Sequence, residues 1–333
     1  MTDRRLLVVG PSWVGDMIMA QSLFLFLRSQ GVATIDVLAP AWSVPVLARM
    51  PEINEAVTLD AGHGEVAFGK RRQMGRMLRG RGYTQSIVLP RSLKAALVPW
   101  FAEVPQRTGS RGELRYGLIN DMRPFDPLLL DQTVKRFVML GSQDGQLPDR
   151  LPQPRLQVDL AAQKELRECW NLHDDRPLIA LMPGAEYGPA KCWPLQHFRE
   201  LADKLLAAGY AVIVLGSHKE RRAGDFIAAD NDAKNLCGET TLTDAIDLLA
   251  CSVHAVSNDS GLMHVAAACG TTVHALYGSS SPDFTPPLTD RSHIYYQRLE
   301  CSPCFKRECP LGHLNCLVSI SPESVFKSVE NAD

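Results

Sequence analysis

Short apolar runs alternate with stretches in which apolar residues recur every three or four positions, and the alternation continues through most of the chain. In the first half the runs 6–9, 34–38, 56–59 and 86–89 read as strands, and 17–28, 44–50, 71–79 and 93–101 between them read as helices, with a further helix over 133–140. In the second half, strands are expected at 178–182, 211–215, 253–256 and 272–277, and helices at 195–208, 221–229, 242–250 and 262–269. The helix after Trp193-Pro194 places Leu195, Phe198, Leu201, Ala202, Leu205 and Leu206 on one face, and Gly209 provides its stop. Strands separated by helices predict an α/β protein with parallel sheets covered on both faces. The proline-rich segment 147–157, with Pro148, Pro152 and Pro154, continues neither a helix nor a central strand and reads as a linker. It divides the chain into a 1–150 domain and a 151–333 domain, each doubly wound, and ligands are expected at a cleft beyond the carboxyl ends of the strands.

The chain has 333 residues, 45% of them hydrophobic, enough for a large core in two domains. The opening residues run directly into the first apolar stretch without a secretory signal pattern, and 17–27 falls short of a membrane span, so a cytoplasmic location is expected. A net charge of −2 argues against a nucleic-acid partner. The charge is unevenly spread: residues 1–160 hold 20 of the 35 Lys and Arg and 15 of the 37 Asp and Glu, a balance of +5, leaving −7 for the remainder. A basic first half suits an anionic partner.

Several strand-to-helix loops carry candidate chemistry. Ser257-Asn258-Asp259-Ser260-Gly261-Leu262-Met263-His264 joins a strand to an alanine-rich helix, whose unpaired N–H groups and dipole favour an anion such as a nucleotide diphosphate. Asp259 or Ser260 as a simple helix cap is the alternative. The loop Gly10-Pro11-Ser12-Trp13-Val14-Gly15-Asp16 lacks the spacing of a dinucleotide fingerprint and the Lys-Ser/Thr of a P-loop. Asp16 there either caps the helix or serves as a catalytic base. The Gly/Pro-rich loop 183–194 carries Lys191, whose ammonium can offset charge growing on a departing phosphate.

Taken together, the GPSWVGDM opening, the RTGxRGExRYGLxND segment at 107–121, the PGAExGPAKxWP loop, Gly216-Ser217-His218-Lys219-Glu220, the NDSGLMHVAAA helix and the loop 277–287 resemble the ADP-heptose:lipopolysaccharide heptosyltransferases. The resemblance covers nearly the whole chain. It implies a GT-B fold, two Rossmann-like domains facing a central cleft, with acceptor binding in 1–150 and nucleotide-sugar binding in 151–333. It implies inverting transfer of L-glycero-D-manno-heptose from ADP-heptose to the first heptose of the lipopolysaccharide inner core, at the inner membrane face, with no cofactor. By the same resemblance Asp16 is the base and Lys191 the clamp. Glu220 lies near the donor ribose, and Asp259, Ser260, Gly261 and His264 bind the donor. Thr240 and Thr241 flank the adenine or, alternatively, cap the next helix. Arg107, Arg111 and Arg115, with the Lys70-Arg71-Arg72 run, are candidates for holding the acceptor's anionic groups. Glu186 and Tyr187 stand where first-heptose enzymes have paired threonines, which moves phosphate contacts toward backbone groups. Two rival readings are a first-heptose transferase acting on Kdo-lipid A and a non-catalytic nucleotide-binding protein of the same fold.

Near the C-terminus Cys301, Cys304, Cys309 and Cys316, with His313 among them, supply enough thiols for a metal site, although the spacing matches no standard finger. The implied mechanism has no step for a metal, so the expectation is none bound, with these four cysteines as the alternative ligand set and a reduced, packed loop as the plain one.

Overall fold

The computed structural model describes residues 4–62, 64–172 and 176–332. The chain divides into two compact units, Met1–Pro154 and Arg155–Asp333. The first contains strands β1 (Arg5–Val9), β2 (Thr34–Ala39), β3 (Glu55–Thr58), β4 (Gln85–Val88), β5 (Gln106–Ser110) and β6 (Asp121–Arg123). Its helices are α1 (Val14–Ser29), α2 (Val44–Leu47), α3 (Phe68–Leu78), α4 (Leu97–Phe101) and α5 (Thr133–Gly141). The second contains β7 (Leu178–Met182), β8 (Ala211–Val214), β9 (Lys234–Asn235), β10 (His254–Asn258), β11 (Thr272–Tyr277) and β12 (Ser292–Tyr296). Its helices are α6 (Leu160–Cys169), α7 (Leu195–Ala207), α8 (Arg221–Ile227), α9 (Leu242–Ala250), α10 (Gly261–Ala268), α11 (Asn315–Val318) and α12 (Pro322–Glu330).

Each unit is built on one six-stranded sheet, ordered β3-β2-β1-β4-β5-β6 and β12-β11-β10-β7-β8-β9. All the pairings are parallel. Read from its other edge, the second order has the connectivity of the first, so each unit winds outward in both directions from a central pair: β1 and β4, or β7 and β10. At such a switch point the flanking connections leave in opposite directions, opening a crevice beyond the strand ends. The loops after β1, β7 and β10 all start there.

The central strands are buried on both faces, β7 and β10 throughout and β1 in all but its first residue. That is why β1 and β7 read as nearly unbroken apolar runs rather than alternating ones. Helix α1 has an almost wholly buried sequence, from Met17 to Leu27 with only Leu25 less covered. Helix α5 closes on it at Gly141, where a Cβ would come within 2.5 Å of Leu23 Cδ1. In the second unit the core gathers Phe198, Leu201 and Leu205 of α7 with Ile179, Val212, Val256 and Leu276 of the sheet. Trp193, 1% exposed, packs edge-on against Phe198 with ring centroids 4.9 Å apart. Burial of that size anchors the end of the loop between β7 and α7 to the core.

Several elements lie outside the expectations drawn from periodicity: β5, β6, β9, β12, α6, α11 and α12. The region 44–50 is helical only over Val44–Leu47 after a 3-10 turn, Ala41–Ser43, and 93–101 likewise begins as a 3-10 turn. No helix of the described residues is long and apolar enough to cross a membrane.

Candidate active site

At the second unit's switch point, Asn258 ends β10 with its side chain fully buried and spans the β7–α7 loop. Its amide Nδ2 donates to the Pro183 carbonyl at 2.7 Å, and its Oδ1 accepts from the Trp193 N–H at 2.9 Å. One amide thus holds the first and nearly the last residue of the loop. The Trp193 indole N–H donates to the Ile320 carbonyl at 2.9 Å, fixing the exit of the loop a second time.

Within the loop so held, Lys191 Nζ meets Asp259 Oδ2 at 2.5 Å, with the two side chains 18% and 5% exposed. Two residues that are 68 positions apart are thereby brought together, and a partly dehydrated ammonium is fixed at the strand ends. Asp259 makes no cap on α10; the residue in that position is Ser260, whose side chain makes no cap hydrogen bond and lies 3.2 Å from Ser257 Oγ. Gly261 opens the helix. The start of α10 therefore presents main-chain N–H groups and the positive end of a helix beside the lysine. His264, one turn further, is buried, and burial pushes its pKa down to about 4; Asp259 opposes that shift and Lys191 adds to it. It is neutral at physiological pH.

The β8–α8 loop adds Glu220. Its Oε2 accepts from the Ser217 N–H at 2.8 Å and from the Ser217 hydroxyl at 2.6 Å, while Ser217 Oγ accepts from the Lys219 N–H at 3.2 Å. This is a capping box. Gly184 and Gly216 make room for the carboxylate's stem: a Cβ on either would come within 3 Å of Glu220 carbons. Thr241 caps α9 through a second capping box, its Oγ1 accepting from the Asp244 N–H at 3.2 Å and its own N–H donating to Asp244 Oδ2 at 2.8 Å. The capping alternative is thus realised for Thr241. Thr240, just before it, is half-buried.

In the first unit, the β1–α1 loop brings Asp16 into the first turn of α1, half-buried, beside the exposed Ser12 and Trp13. The helix's N-cap is Trp13, which makes no side-chain cap bond. Of the three arginines, Arg107 donates to the carbonyls of Leu118, Val104 and Gly117 at 2.7, 2.7 and 3.2 Å. Arg115, 1% exposed, donates to the carbonyls of Pro90 and Ser110 at 2.7 and 2.5 Å. Burial lowers both guanidinium pKa values. Both side chains brace the 110–118 segment, which leaves Arg111 as the exposed member of the set. In the Lys70-Arg71-Arg72 run, Arg71 is buried and donates to the Val66 carbonyl at 2.7 Å, whereas Lys70 and Arg72 are exposed.

Cys301, Cys304, Cys309, Cys316 and His313 line one small cavity together with Ala190 and Ser279. The Cys309 thiol is pulled below its ordinary pKa by main-chain N–H groups, Leu314 foremost, and Cys316 is raised, first by burial. Yet among the described residues no three Cys, His, Asp or Glu side chains are grouped so as to hold one metal ion. Asp230-Asn231-Asp232 forms an exposed turn after α8, where Asn231 bonds the Ile227 carbonyl and Asp203.

Two parallel doubly wound units, with a lysine, an aspartate and an uncapped helix start at the switch point of one of them, define a GT-B-type architecture of the nucleotide-sugar glycosyltransferase kind. Residues 71–315 match glycosyltransferase family 9 (heptosyltransferase), and the chain belongs to that family; it is a glycosyltransferase. It is 44% identical to lipopolysaccharide heptosyltransferase 2 of Salmonella typhimurium over 98% of both chains. The same protein from Escherichia coli is also 44% identical, over 98% of this chain and 97% of that one. Among solved structures, E. coli ADP-heptose lps heptosyltransferase II superposes with a TM-score of 0.88 at 43% identity, covering 98% of each chain. A family 9 glycosyl transferase from Veillonella parvula shares the fold, with a TM-score of 0.87 at 20% identity, covering 100% of this chain and 98% of that one.

Sequence reasoning passed over Asn258 as an organiser and Tyr187 as a contact of Lys191. Asn258 carried a readable signal, a polar residue at a strand's carboxyl end beside the site; Tyr187 did not, because no periodicity in an irregular loop brings its ring to Lys191 four positions on, and its other partners, Phe305 and Arg307, come from a distant segment.

Proposed function

We propose that the chain transfers L-glycero-D-manno-heptose from ADP-heptose, with inversion, to the first heptose of the lipopolysaccharide inner core. The observation that carries this reading is the Lys191–Asp259 pair beside the uncapped start of α10, in a chain that is 44% identical to heptosyltransferase 2 relatives over almost its full length. In the reaction the anomeric C–O bond to the β-phosphate breaks and its electron pair leaves on the diphosphate. The acceptor hydroxyl oxygen forms the new bond to the anomeric carbon, and its proton passes to Asp16. Lys191 and the N–H groups of Ser260 and Gly261 offset the charge growing on the leaving group, a task suited to fixed dipoles. His264, neutral, supports this region by hydrogen bonding rather than by charge. Glu220 reads the donor ribose with the carboxylate oxygen that the capping box does not use. Thr240 and Thr241 adjoin the adenine through backbone and methyl groups, since the Thr241 hydroxyl caps α9.

In this reading the 1–150 region receives the acceptor and the 151–333 region the donor. Arg111, with Lys70 and Arg72, holds the acceptor's anionic groups, while Arg107 and Arg115 keep the 110–118 segment in shape. The surplus of basic charge before residue 160 supports work at the inner face of an anionic membrane as a peripheral, cytoplasmic enzyme.

The test supplies ADP-heptose with two defined acceptors, one bearing a single heptose and one bearing none, and follows ADP release. Release that depends on the heptose-bearing acceptor is expected. Equal or preferential use of the heptose-free acceptor would make this a first-heptose transferase, and no acceptor-dependent release would leave a nucleotide-binding protein.

A further inference from the structure

We propose that Arg307, carried on the cysteine-rich segment 301–316, is a second cation of the diphosphate site; the inference rests on the donor reading above. Two cations approach the Tyr187 ring, with Lys191 Nζ 5.3 Å and Arg307 Cζ 5.4 Å from its centroid. The Tyr187 hydroxyl donates to the Phe305 carbonyl at 2.8 Å. The Ala190 N–H, adjacent to Lys191, donates to the Arg307 carbonyl at 3.0 Å. Gly188, at φ +154°, lets the two backbones touch: a Cβ there would lie 2.6 Å from the Arg307 carbonyl oxygen. Phe305 in turn donates its N–H to the Ser279 carbonyl at 2.7 Å. The 305–307 main chain is thus tied to the lysine loop through Arg307 and to the loop after β11 through Phe305, while the Arg307 side chain is exposed.

Charge balance gives the arginine its task. Asp259 is paired with Lys191, and Lys219, on the β8–α8 loop, is bonded to Glu186 at 2.7 Å. A departing nucleoside diphosphate brings more negative charge than one half-neutralised lysine can balance. The Arg307 guanidinium has the tyrosine ring as its partner among the described residues rather than a carboxylate. It is therefore ready to take phosphate oxygens with its planar fork at little cost in exchanged bonds. Tyr187 holds both cations against one ring.

Binding of ADP and of AMP to the wild type, Arg307→Gln, Arg307→Lys and Tyr187→Leu, measured by calorimetry, tests the assignment. Loss of a charge-assisted contact to the β-phosphate should weaken ADP binding by about 10- to 100-fold in Arg307→Gln, and AMP binding by far less. Arg307→Lys should recover part of the loss, and Tyr187→Leu should reproduce it. ADP binding by Arg307→Gln at the wild-type level, or an equal fall for ADP and AMP, would overturn the assignment while leaving the transferase reading intact. A wild type that binds no ADP would instead overturn the transferase reading and this inference with it.

Discussion

The loop after β7 and the loop after β1 begin at equivalent points of two sheets with the same connectivity, yet they are held in different ways. The first is tied at both ends by Asn258, fastened again through Trp193, and lined by the 305–307 segment, and its lysine is already paired with Asp259. The second is bonded at its start from the Gly10 N–H to the Leu38 carbonyl and runs into the first turn of α1, with Ser12 and Trp13 exposed next to the half-buried Asp16. The difference matches the tasks assigned to them. Stabilising a leaving diphosphate is work for groups fixed before the substrate arrives, because fixed dipoles do not have to reorganise as charge develops. Under the proposed function the first unit would receive the acceptor, and Ser12 and Trp13 are exposed beside Asp16 there.

Breaking the preorganised side should therefore have large, separable effects. Lys191→Ala is expected to lower turnover by about 10²- to 10³-fold and to weaken ADP binding as well. Steady-state kinetics and ADP titration check this, and unchanged kinetics would reassign the clamp. Asn258→Ala leaves the buried Pro183 carbonyl and Trp193 N–H without their partner, at a cost of about 1–3 kcal/mol for each unpaired group. Denaturant unfolding should show that loss, and ADP affinity should fall with it. Loss of stability without loss of affinity would mean that the loop holds its shape by other means.

A smaller effect comes from the buried histidines. Burial lowers His264 to about 4 and His274 to about 3, with His254 and His293 adding to the shift at His274. His274 bridges His254 Nδ1 at 3.2 Å and the Tyr295 hydroxyl at 3.0 Å. In the folded state both histidines stay neutral as pH falls through 6.5, the ordinary value, whereas in the unfolded state they take up protons. Stability should fall between pH 6.5 and about 4, by up to about 1.4 kcal/mol per pH unit for each histidine. The effect is confined to the second unit. A flat stability profile across that window would contradict the neutral buried state.

The sequence disclosed what periodicity and local chemistry can encode. Apolar runs marked β1, β4, β7 and β8, since central parallel strands are covered on both faces, and β2 and β11 were marked despite Asp36 and His274 within them. Strand β5, Gln106–Ser110, escaped because its register buries only Thr108 and Gly109 fully. Strand β9 is two residues long, and most of β12 is exposed or half-exposed, as suits edge strands with little apolar side to display. Helix α6 contains no buried residue, so its apolar positions do not separate cleanly from its polar ones. At the site, Lys191 and Asp259 stood out by their places at strand ends and by the family resemblance, whereas their ion pair, joining residues 68 positions apart, left no local trace. Capping boxes at Ser217 and Thr241 could be read from their Ser-x-x-Glu and Thr-x-x-Asp spacing. The anion-holding part expected of Arg107 and Arg115 could not be told apart from loop bracing, because a guanidinium suits carbonyls and carboxylates alike. The Tyr187–Arg307 contact joins segments more than a hundred positions apart and leaves no local trace.

The division of labour between a fixed leaving-group site and an acceptor-side base is tested most directly by ADP release from ADP-heptose and a heptose-bearing acceptor, comparing the wild type with Asp16→Asn. The account predicts a fall in turnover of about 10²- to 10⁴-fold with ADP-heptose binding preserved. A variant that turns over at close to the wild-type rate would contradict it.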